Sequence, residues 1–185
     1  SNTINTGAGV DSIDGGTGNE NINAGAGNDT IDMAANITAL DTIDGGDGTD
    51  TLITTAAIAS STILGGVSNV EILSVEGDGI AVTLAADVGP AIFYFTDADG
   101  QTLTLNTGYT QATSVYLTGD VTNTDTVTNS AADVDLKVYG NAADFDSGTT
   151  ITGGSNTDEL VISQGGGGTA LVDAGYTGID KITIT

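Results

Sequence analysis

Glycines and acids recur at a fixed spacing in the first part of this chain, in a pattern suited to metal binding. Nine-residue units follow one another over residues 6–14, 15–23 and 24–32, and another unit occupies residues 45–53. Each unit has glycines at its second and fourth places and a carboxylate at its sixth. Glycine permits positive φ and a tight turn, so that loop carbonyls can converge beside the carboxylate. Such oxygens are the ligands that Ca²⁺ prefers, and the pattern therefore predicts Ca²⁺ as a cofactor.

The candidate metal-binding residues are the paired glycines and acids of these units and the aspartate at which the register restarts after residues 33–40. They are Gly7, Gly9, Asp11, Gly16, Gly18, Glu20, Gly25, Gly27, Asp29, Asp41, Gly46, Gly48 and Asp50. The alternative for the aspartates is a solvated turn without a metal. The acids that close the units, Asp14, Asp32 and Asp44, are expected to face solvent or to support the next loop.

Each unit also supplies one aliphatic residue at its eighth place, as at Ile13, Ile22 and Ile31. Such a residue predicts a three-residue strand whose neighbouring side chains point the other way. A unit with one buried side chain cannot fold alone, so stacked copies must share a core.

The units resemble the G-G-x-G-x-D-x-U-x nonapeptide of RTX, or haemolysin-type, calcium-binding proteins. The resemblance implies a right-handed parallel β-roll with two units per turn and Ca²⁺ between the loops of units n and n+2. Residues 6–11 would then face residues 24–29, and residues 15–20 would face the loop that ends at Asp41 or Asp50. The chain departs from the motif at Thr6 and Ala24, which replace the first glycine, and at Glu20, which replaces the aspartate.

The remaining chain, residues 54–185, keeps the short strands but loses the nonapeptides. The segment at residues 43–52 is echoed at residues 151–160, as expected of a solenoid with turns of about twenty residues. We therefore expect an all-β, parallel β-roll or β-solenoid with a calcium-binding domain at 1–53 and wider turns at 54–185. A β-roll followed by a β-sandwich is the alternative. The expected strand centres are Ile63, Ile72, Val82, Phe93, Leu103, Val115, Val127, Leu136, Ile151, Leu160, Leu171 and Ile182.

The composition excludes several functions. Twenty-five acids face only Lys137 and Lys181, for a net charge of −23, which argues against a nucleic acid or an anionic membrane surface as a partner. Histidine and cysteine are absent, so the usual pairs of nucleophile and base are unavailable and we expect no enzyme. No segment has the length of an apolar transmembrane helix.

Four weaker candidates remain. Asp158 follows a similar loop, but Asn156 stands where the fourth-place glycine would be, which leaves metal binding there open. Asp97 and Asp99 resemble the start of a DxDG calcium loop, yet a hairpin turn is the better interpretation because no glutamate follows at the required spacing. The glycines at 165–168 predict a loop, since no GK[ST] follows. Glu71 and Glu76 as a glycosidase pair would be a chance arrangement in so acidic a chain.

The richness in Thr, Ala, Gly and Asn and the Asn-Val-Glu-aliphatic strand at residues 69–72 are similar to the RTX-bearing S-layer proteins of Gram-negative bacteria. That resemblance implies an extracellular structural module on the bacterial cell surface, exported by type I secretion and self-associating into a sheet or filament. Cell-surface polysaccharide is a further candidate partner. The alternatives are a module of an RTX adhesin, the accessory β-roll of an alginate epimerase, or the tail of a secreted RTX protease. Because the chain begins within a repeat, we expect it to be part of a larger protein.

Overall fold

The computed structural model describes residues 1–96, 100–118, 124–129, 134–145, 148–163 and 175–185. The candidate loop at Asp97 and Asp99, the glycines at 165–168 and the strand expected at Leu171 lie outside these residues.

Short strands make up almost all regular structure in the described part of the chain. In chain order they are β1 (Asn2–Ala8), β2 (Ser12–Asp14), β3 (Glu20–Ala26), β4 (Thr30–Asp32), β5 (Thr42–Asp44), β6 (Thr51–Thr54), β7 (Val67–Ser68), β8 (Ile72–Glu76), β9 (Ala81–Leu84), β10 (Ile92–Thr96), β11 (Thr102–Leu105), β12 (Thr113–Thr118), β13 (Thr126–Asn129), β14 (Leu136–Asn141), β15 (Thr150–Thr152), β16 (Glu159–Ser163), β17 (Tyr176–Thr177) and β18 (Lys181–Ile184). One 3-10 helix, Ser61–Leu64, interrupts them.

The strands coil into a parallel β-solenoid. A nine-stranded sheet runs along the whole molecule in the order β18-β16-β14-β12-β10-β8-β6-β4-β2. The opposite wall consists of β1-β3-β5-β7 beside the early turns and β17-β15-β13-β11-β9 beside the later ones. The bridge between Ile58 and Val82 begins the second of these walls. Each strand thus pairs with the equivalent strand of the next turn, as β2 does with β4 through Ile13 and Ile31.

The core is a set of aliphatic and aromatic columns that run along the inside of the coil. In the nine-stranded sheet one column passes from Ile31 through Leu52 and Leu73 to Phe93, and all four side chains are fully buried. Burial of a side chain of this size contributes about 1.5–3 kcal/mol relative to exposure. Because each strand contributes only one or two such residues, a turn gains its stability from the neighbours on which it stacks.

The turns widen along the chain, as expected. Hydrogen-bonded equivalents are 18 residues apart at Thr6 and Ala24, 21 apart at Glu20 and Asp41, and 25 apart at Thr152 and Thr177. The early three-residue strands bury one side chain, whereas the later ones alternate two buried and two half-buried positions, as in Thr102–Leu105. A second inward residue requires a longer strand and hence a wider turn.

Two expectations are wrong. The β-sandwich alternative fails because the strands after residue 54 pair in parallel with the same long sheet. Ile63 lies in the 3-10 helix and not at a strand centre. That helix is held by the hydroxyl of Ser61, which accepts from the backbone N–H groups of Ala85 and Ala86 at 2.7 and 3.1 Å.

Among the described residues, no helix has the length and apolar character needed to cross a membrane.

Candidate metal centre

The glycine-rich loops stack directly on one another along one edge of the solenoid. The backbone N–H of Gly9 donates to the carbonyl of Ala26 at 2.7 Å, and the N–H of Gly27 donates to the carbonyl of Asp47 at 2.8 Å. Residues 6–11 therefore lie on residues 24–29, as the resemblance implied, and residues 24–29 lie in turn on residues 45–50.

The paired glycines are required for both conformation and space. All eight, Gly7, Gly9, Gly16, Gly18, Gly25, Gly27, Gly46 and Gly48, have positive φ. At Gly27 a Cβ would also lie 1.6 Å from the carbonyl oxygen of Gly9 in the preceding turn. At Gly9 the φ is +132°, but a Cβ would meet nothing within 4 Å. The two positions thus separate the conformational requirement from the steric one.

We expect Gly27→Ala to be far more damaging than Gly9→Ala. Alanine in so sparsely populated a region of positive φ costs about 1–3 kcal/mol, and at residue 27 the clash between turns adds about 1–3 kcal/mol more. Urea unfolding in saturating calcium measures both variants. Equal losses for the two would show that the turns can move apart to accept a methyl group.

The acids of these loops form a row parallel to the solenoid axis, which we call the aspartate row: Asp11, Asp29, Asp50 and Glu71. One carboxylate oxygen of each acid after Asp11 accepts from the backbone N–H of the acid in the preceding turn. The distances are 2.8 Å from Asp11 N to Asp29 Oδ1, 2.7 Å from Asp29 N to Asp50 Oδ1, and 2.8 Å from Asp50 N to Glu71 Oε2.

The second oxygen of each aspartate in the row is buried without a hydrogen-bond partner. This holds for Oδ2 of Asp11, Asp29 and Asp50. The side chains of Asp29 and Asp50 are almost completely buried. Burial raises the pKa of Asp50. The hydrogen bond from the Asp29 N–H lowers it, whereas the nearby charges of Asp29, Glu71 and Asp44 raise it, and the net effect is a raised pKa. A buried carboxylate without a partner is costly, so a cation would stabilise this arrangement strongly.

A second site lies where Glu20 meets the loop that ends at Asp41. Asp41, and not Asp50, is the acid that stacks on Glu20, because Asp41 Oδ1 accepts from Glu20 N at 2.8 Å. The carboxylate of Glu20 is 2% exposed, and neither of its oxygens has a partner. Burial, followed by the negative charge of Asp41, raises the pKa of Glu20. The longer side chain at residue 20 is therefore compatible with a role as a ligand.

These two places fit calcium. Hard carboxylate oxygens without partners beside loops rich in backbone carbonyls are the donors that Ca²⁺ takes. In the described part of the chain, no three side chains of His, Cys, Asp or Glu form a metal-binding group by themselves. Carboxylates from two stacked turns together with loop carbonyls would hold the ion. Asp11, Asp29 and Asp50 would supply the carboxylates in the aspartate row, and Glu20 would supply the carboxylate in the second site. Asp41 has the environment of a supporting carboxylate, because its Oδ1 accepts from Glu20 N and its Oδ2 accepts from the N–H and the hydroxyl of Thr38 at 2.7 and 3.1 Å.

Asp158 occupies the equivalent place in a later turn but has a different environment. Its Oδ1 accepts from Asn129 Nδ2 at 3.2 Å and from Leu136 N at 3.1 Å, and its Oδ2 accepts from Gly154 N at 2.6 Å. Both oxygens are satisfied by N–H donors although the side chain is fully buried. Asp158 therefore has the environment of a structural carboxylate and not of a metal ligand.

The acids that close the units support the adjacent loops. Asp14 Oδ1 accepts from Gly16 N at 3.0 Å, and Asp32 Oδ1 accepts from Ala34 N at 2.8 Å. Asp44 Oδ1 accepts from Asn69 Nδ2 of the next turn at 2.8 Å. Their roles agree with the expectation that they support turns.

Glu71 is the site residue that the sequence reasoning missed. The sequence places it in the Asn-Val-Glu-aliphatic strand and in a chance pair with Glu76, yet in the structure it continues the aspartate row. A usable signal was present: Glu71 follows Asp50 by 21 residues, as Asp50 follows Asp29, and it also directly precedes a strand.

Both lysines of the chain flank one acid near the other end of the long sheet. Glu159 pairs with Lys181 at 2.7 Å and with Lys137 at 3.5 Å, and it accepts from the hydroxyl of Thr183. The hydrogen bond from Lys181 and that from Thr183 lower the pKa of Glu159 from 4.5 to about 2. Register explains the cluster, since Lys137, Glu159 and Lys181 occupy equivalent positions in successive strands.

This ion pair should make part of the stability pH-dependent. Because the pKa of Glu159 is lower in the folded state, its contribution is complete above the ordinary pKa of 4.5 and disappears as the pH falls towards 2. We expect Glu159→Gln to melt at a lower temperature than the unaltered protein at pH 6, with the difference closing between pH 4.5 and pH 2. A difference that stays constant down to pH 2, or a Glu159 carboxyl midpoint near 4.5 by NMR, would contradict the assignment.

Comparison with known proteins gives one match. The RTX calcium-binding nonapeptide repeat matches in four copies, over residues 1–31 and 40–56. These residues include the stacked glycine loops and both candidate sites. Searches of curated proteins and of solved structures gave no match. The N-terminal turns of this solenoid are therefore RTX calcium-binding nonapeptide repeats.

Proposed function

We propose that this chain is a secreted, calcium-dependent structural module of a bacterial surface assembly, either an S-layer or an extracellular filament. One observation carries the proposal: buried carboxylate oxygens without partners are aligned across successive turns at Asp11, Asp29 and Asp50. An ion bound there would connect turns that no disulfide connects, because the chain has no cysteine. RTX repeat proteins are typically extracellular, where calcium is abundant enough to fill such sites.

Charge supports a role for calcium in assembly as well as in folding. Against twenty-five acids the chain has two lysines, and both are paired with Glu159. Copies of so uniformly negative a molecule repel one another until divalent ions bridge or neutralise them. Self-association into a sheet or filament should therefore depend on calcium.

A structural role also agrees with the chemistry of the side chains. Without histidine or cysteine, catalysis would have to rest on carboxylates. Glu71, one member of the conceivable glycosidase pair, is instead engaged by the N–H of Asp50. We therefore propose a module without catalytic activity.

Electron microscopy and light scattering of the full-length protein test this function. We expect ordered sheets or filaments in millimolar calcium and dispersed particles in chelator. Sodium at equal ionic strength is the control and should not substitute, since screening alone cannot cross-link carboxylates. Monomers across the whole calcium range would reject the surface assembly.

The second candidate function is a binding module of an RTX adhesin or secreted enzyme. It is favoured by a stack of three tyrosines, Tyr94, Tyr116 and Tyr139, which lies beside a cavity on the long sheet. These residues are far in sequence from the calcium loops. A protein that remains monomeric in calcium but binds a glycan would select this function over the first.

A further inference from the structure

Three tyrosines stack on the outer face of the long sheet. Tyr94, Tyr116 and Tyr139 occupy equivalent positions in β10, β12 and β14. Their ring centroids are 4.6 and 4.5 Å apart, and each pair of rings is within 7° of parallel. The parallel register places one ring over the next at about the spacing of the strands. The result is a ladder of aromatic side chains that is half-buried.

The ladder ends at Tyr139 because Val161 takes the next position in the column. Valine is smaller than a tyrosine ring, and a cavity of about 380 Å³ lies beside this end of the ladder. Its lining includes Tyr139, Val161, Asn141, Ser163 and Thr185. The cavity thus combines an aromatic ring with amide and hydroxyl groups, the composition expected of a site for a small polar ligand.

Asp144 also lines this cavity, with its carboxylate buried in the cavity wall. The side chain is 1% exposed, and its Oδ2 accepts from the backbone N–H of Asn141 at 2.6 Å. Its Oδ1 is buried and has no hydrogen-bond partner. The turn that holds it is fixed by the Asp144 N–H, which donates to the carbonyl of Asn141 at 3.1 Å, and by the Thr149 hydroxyl, which donates to the Asp144 carbonyl at 2.8 Å. An unsatisfied acceptor in the wall of a cavity calls for a ligand that brings a donor.

The charge of the molecule restricts the ligand further. With a net charge of −23 and both lysines paired with Glu159, an acidic ligand would be repelled. The ligand must offer a hydroxyl donor to Asp144, a weakly polar face to the ring of Tyr139, and no negative charge. A pyranose ring meets all three conditions, because its C–H face packs on aromatic rings while its hydroxyl groups radiate from its edge.

We propose that the cavity between Tyr139, Asp144 and Val161 binds one unit of a neutral glycan. A sugar hydroxyl donates to Asp144 Oδ1, and the sugar ring continues the tyrosine ladder over Val161. This site is separate from the calcium loops and does not depend on assembly into a sheet or filament.

The test is a printed array of neutral and acidic glycans probed with the full chain in calcium. Isothermal titration with the best neutral oligosaccharide and with oligogalacturonate of equal length follows. We expect saturable binding of a neutral glycan and none of the acidic one. Ligand-induced NMR shifts should include the ring protons of Tyr139 and leave those of Tyr94, at the other end of the ladder, unchanged.

Three variants and a control define the site. Val161→Tyr extends the ladder into the cavity, where a further stacked ring suits the sheet face, so it should fold and block the glycan. Tyr139→Ala removes the platform, and Asp144→Asn keeps an oxygen for the Asn141 N–H while replacing the free acceptor by a donor. Each of these two should weaken binding by about tenfold or more. Tyr94→Ala is the control and should bind as the unaltered protein does.

Circular dichroism in calcium establishes that each variant is folded. If a truncation variant fails to fold, Val161→Tyr alone decides the question, since it adds packing and removes none. The proposal is overturned if no neutral glycan on the array binds, if the acidic oligosaccharide binds equally well, or if folded Val161→Tyr retains full affinity.

Discussion

Removal of calcium is expected to unfold the N-terminal turns and to leave the later turns folded. Glu20, Asp29, Asp41 and Asp50 are each at most 3% exposed, and all four lie within residues 20–50. An uncompensated buried carboxylate costs several kcal/mol, whereas a whole domain is stable by about 5–15 kcal/mol. Three of them, Glu20, Asp29 and Asp50, have at least one carboxylate oxygen without a partner. Together these three exceed what this part of the coil can bear without a counter-ion.

The later turns should survive because, among their described residues, only one buried carboxylate oxygen, Oδ1 of Asp144, has no partner in the protein. Asp158 accepts three hydrogen bonds from N–H donors, and Glu159 is paired with two lysines. In a stack whose turns interact mainly with their neighbours, loss of one end need not destroy the other. The boundary of the unfolded region should therefore lie near the end of the aspartate row, at Glu71.

Hydrogen exchange in chelator and in millimolar calcium locates this boundary, and circular dichroism measures the total strand content. We expect amides of β1 to β6 to lose protection without calcium and amides of β11, β12 and β14 to keep theirs. Magnesium is the control and should restore little protection, because it demands octahedral geometry and dehydrates reluctantly. Equal strand content and equal melting temperature in chelator and in calcium would refute the calcium requirement.

The N-terminal turns were readily predicted because local spacing defines them. A glycine at every second and fourth place and an acid at every sixth fix the loop conformation, and the single aliphatic of each unit fixes the inward face. The loops at residues 6–11 and 24–29 stack as expected, and Ile13 and Ile31 pair as expected. The widening of later turns also followed from the second, longer repeat.

The features that sequence reasoning missed depend on register between turns of unequal length. Tyr94, Tyr116 and Tyr139 are spread over the sequence, and only the pairing of β10, β12 and β14 reveals that they form one ladder. Aromatic content alone gave no sign of a binding face. The exchange of one wall for another was equally hidden, because it begins in the connection between β6 and β7, which has no repeat and contains Ile58 and the 3-10 helix.

Asp29→Asn and Asp158→Asn are expected to differ in how calcium changes their effects. At residue 29 asparagine can keep the oxygen that accepts from Asp11 N, so the only loss is the charge of an oxygen that has no protein partner. In calcium the variant should bind the ion about tenfold or more weakly, which lowers stability by about 1.4 kcal/mol per tenfold. In chelator, where the N-terminal turns of the unaltered protein unfold, the same change removes an unfavourable buried charge. The variant should therefore keep at least as much strand content and protection at β6 in chelator as the unaltered protein does.

At residue 158 the side chain accepts N–H donors at both oxygens, and no orientation of an asparagine amide satisfies them all. Asp158→Asn should therefore lose about 1–3 kcal/mol, and the loss should be equal with and without calcium. Urea unfolding of both variants in the two conditions, followed by hydrogen exchange at β6 and β14 to separate the two ends of the coil, supplies the four values needed. The two residues occupy equivalent places in different turns. A calcium-dependent loss of stability at Asp158 would place an ion in the later turns, and a calcium-independent loss at Asp29 would show that Asp29 is not a calcium ligand.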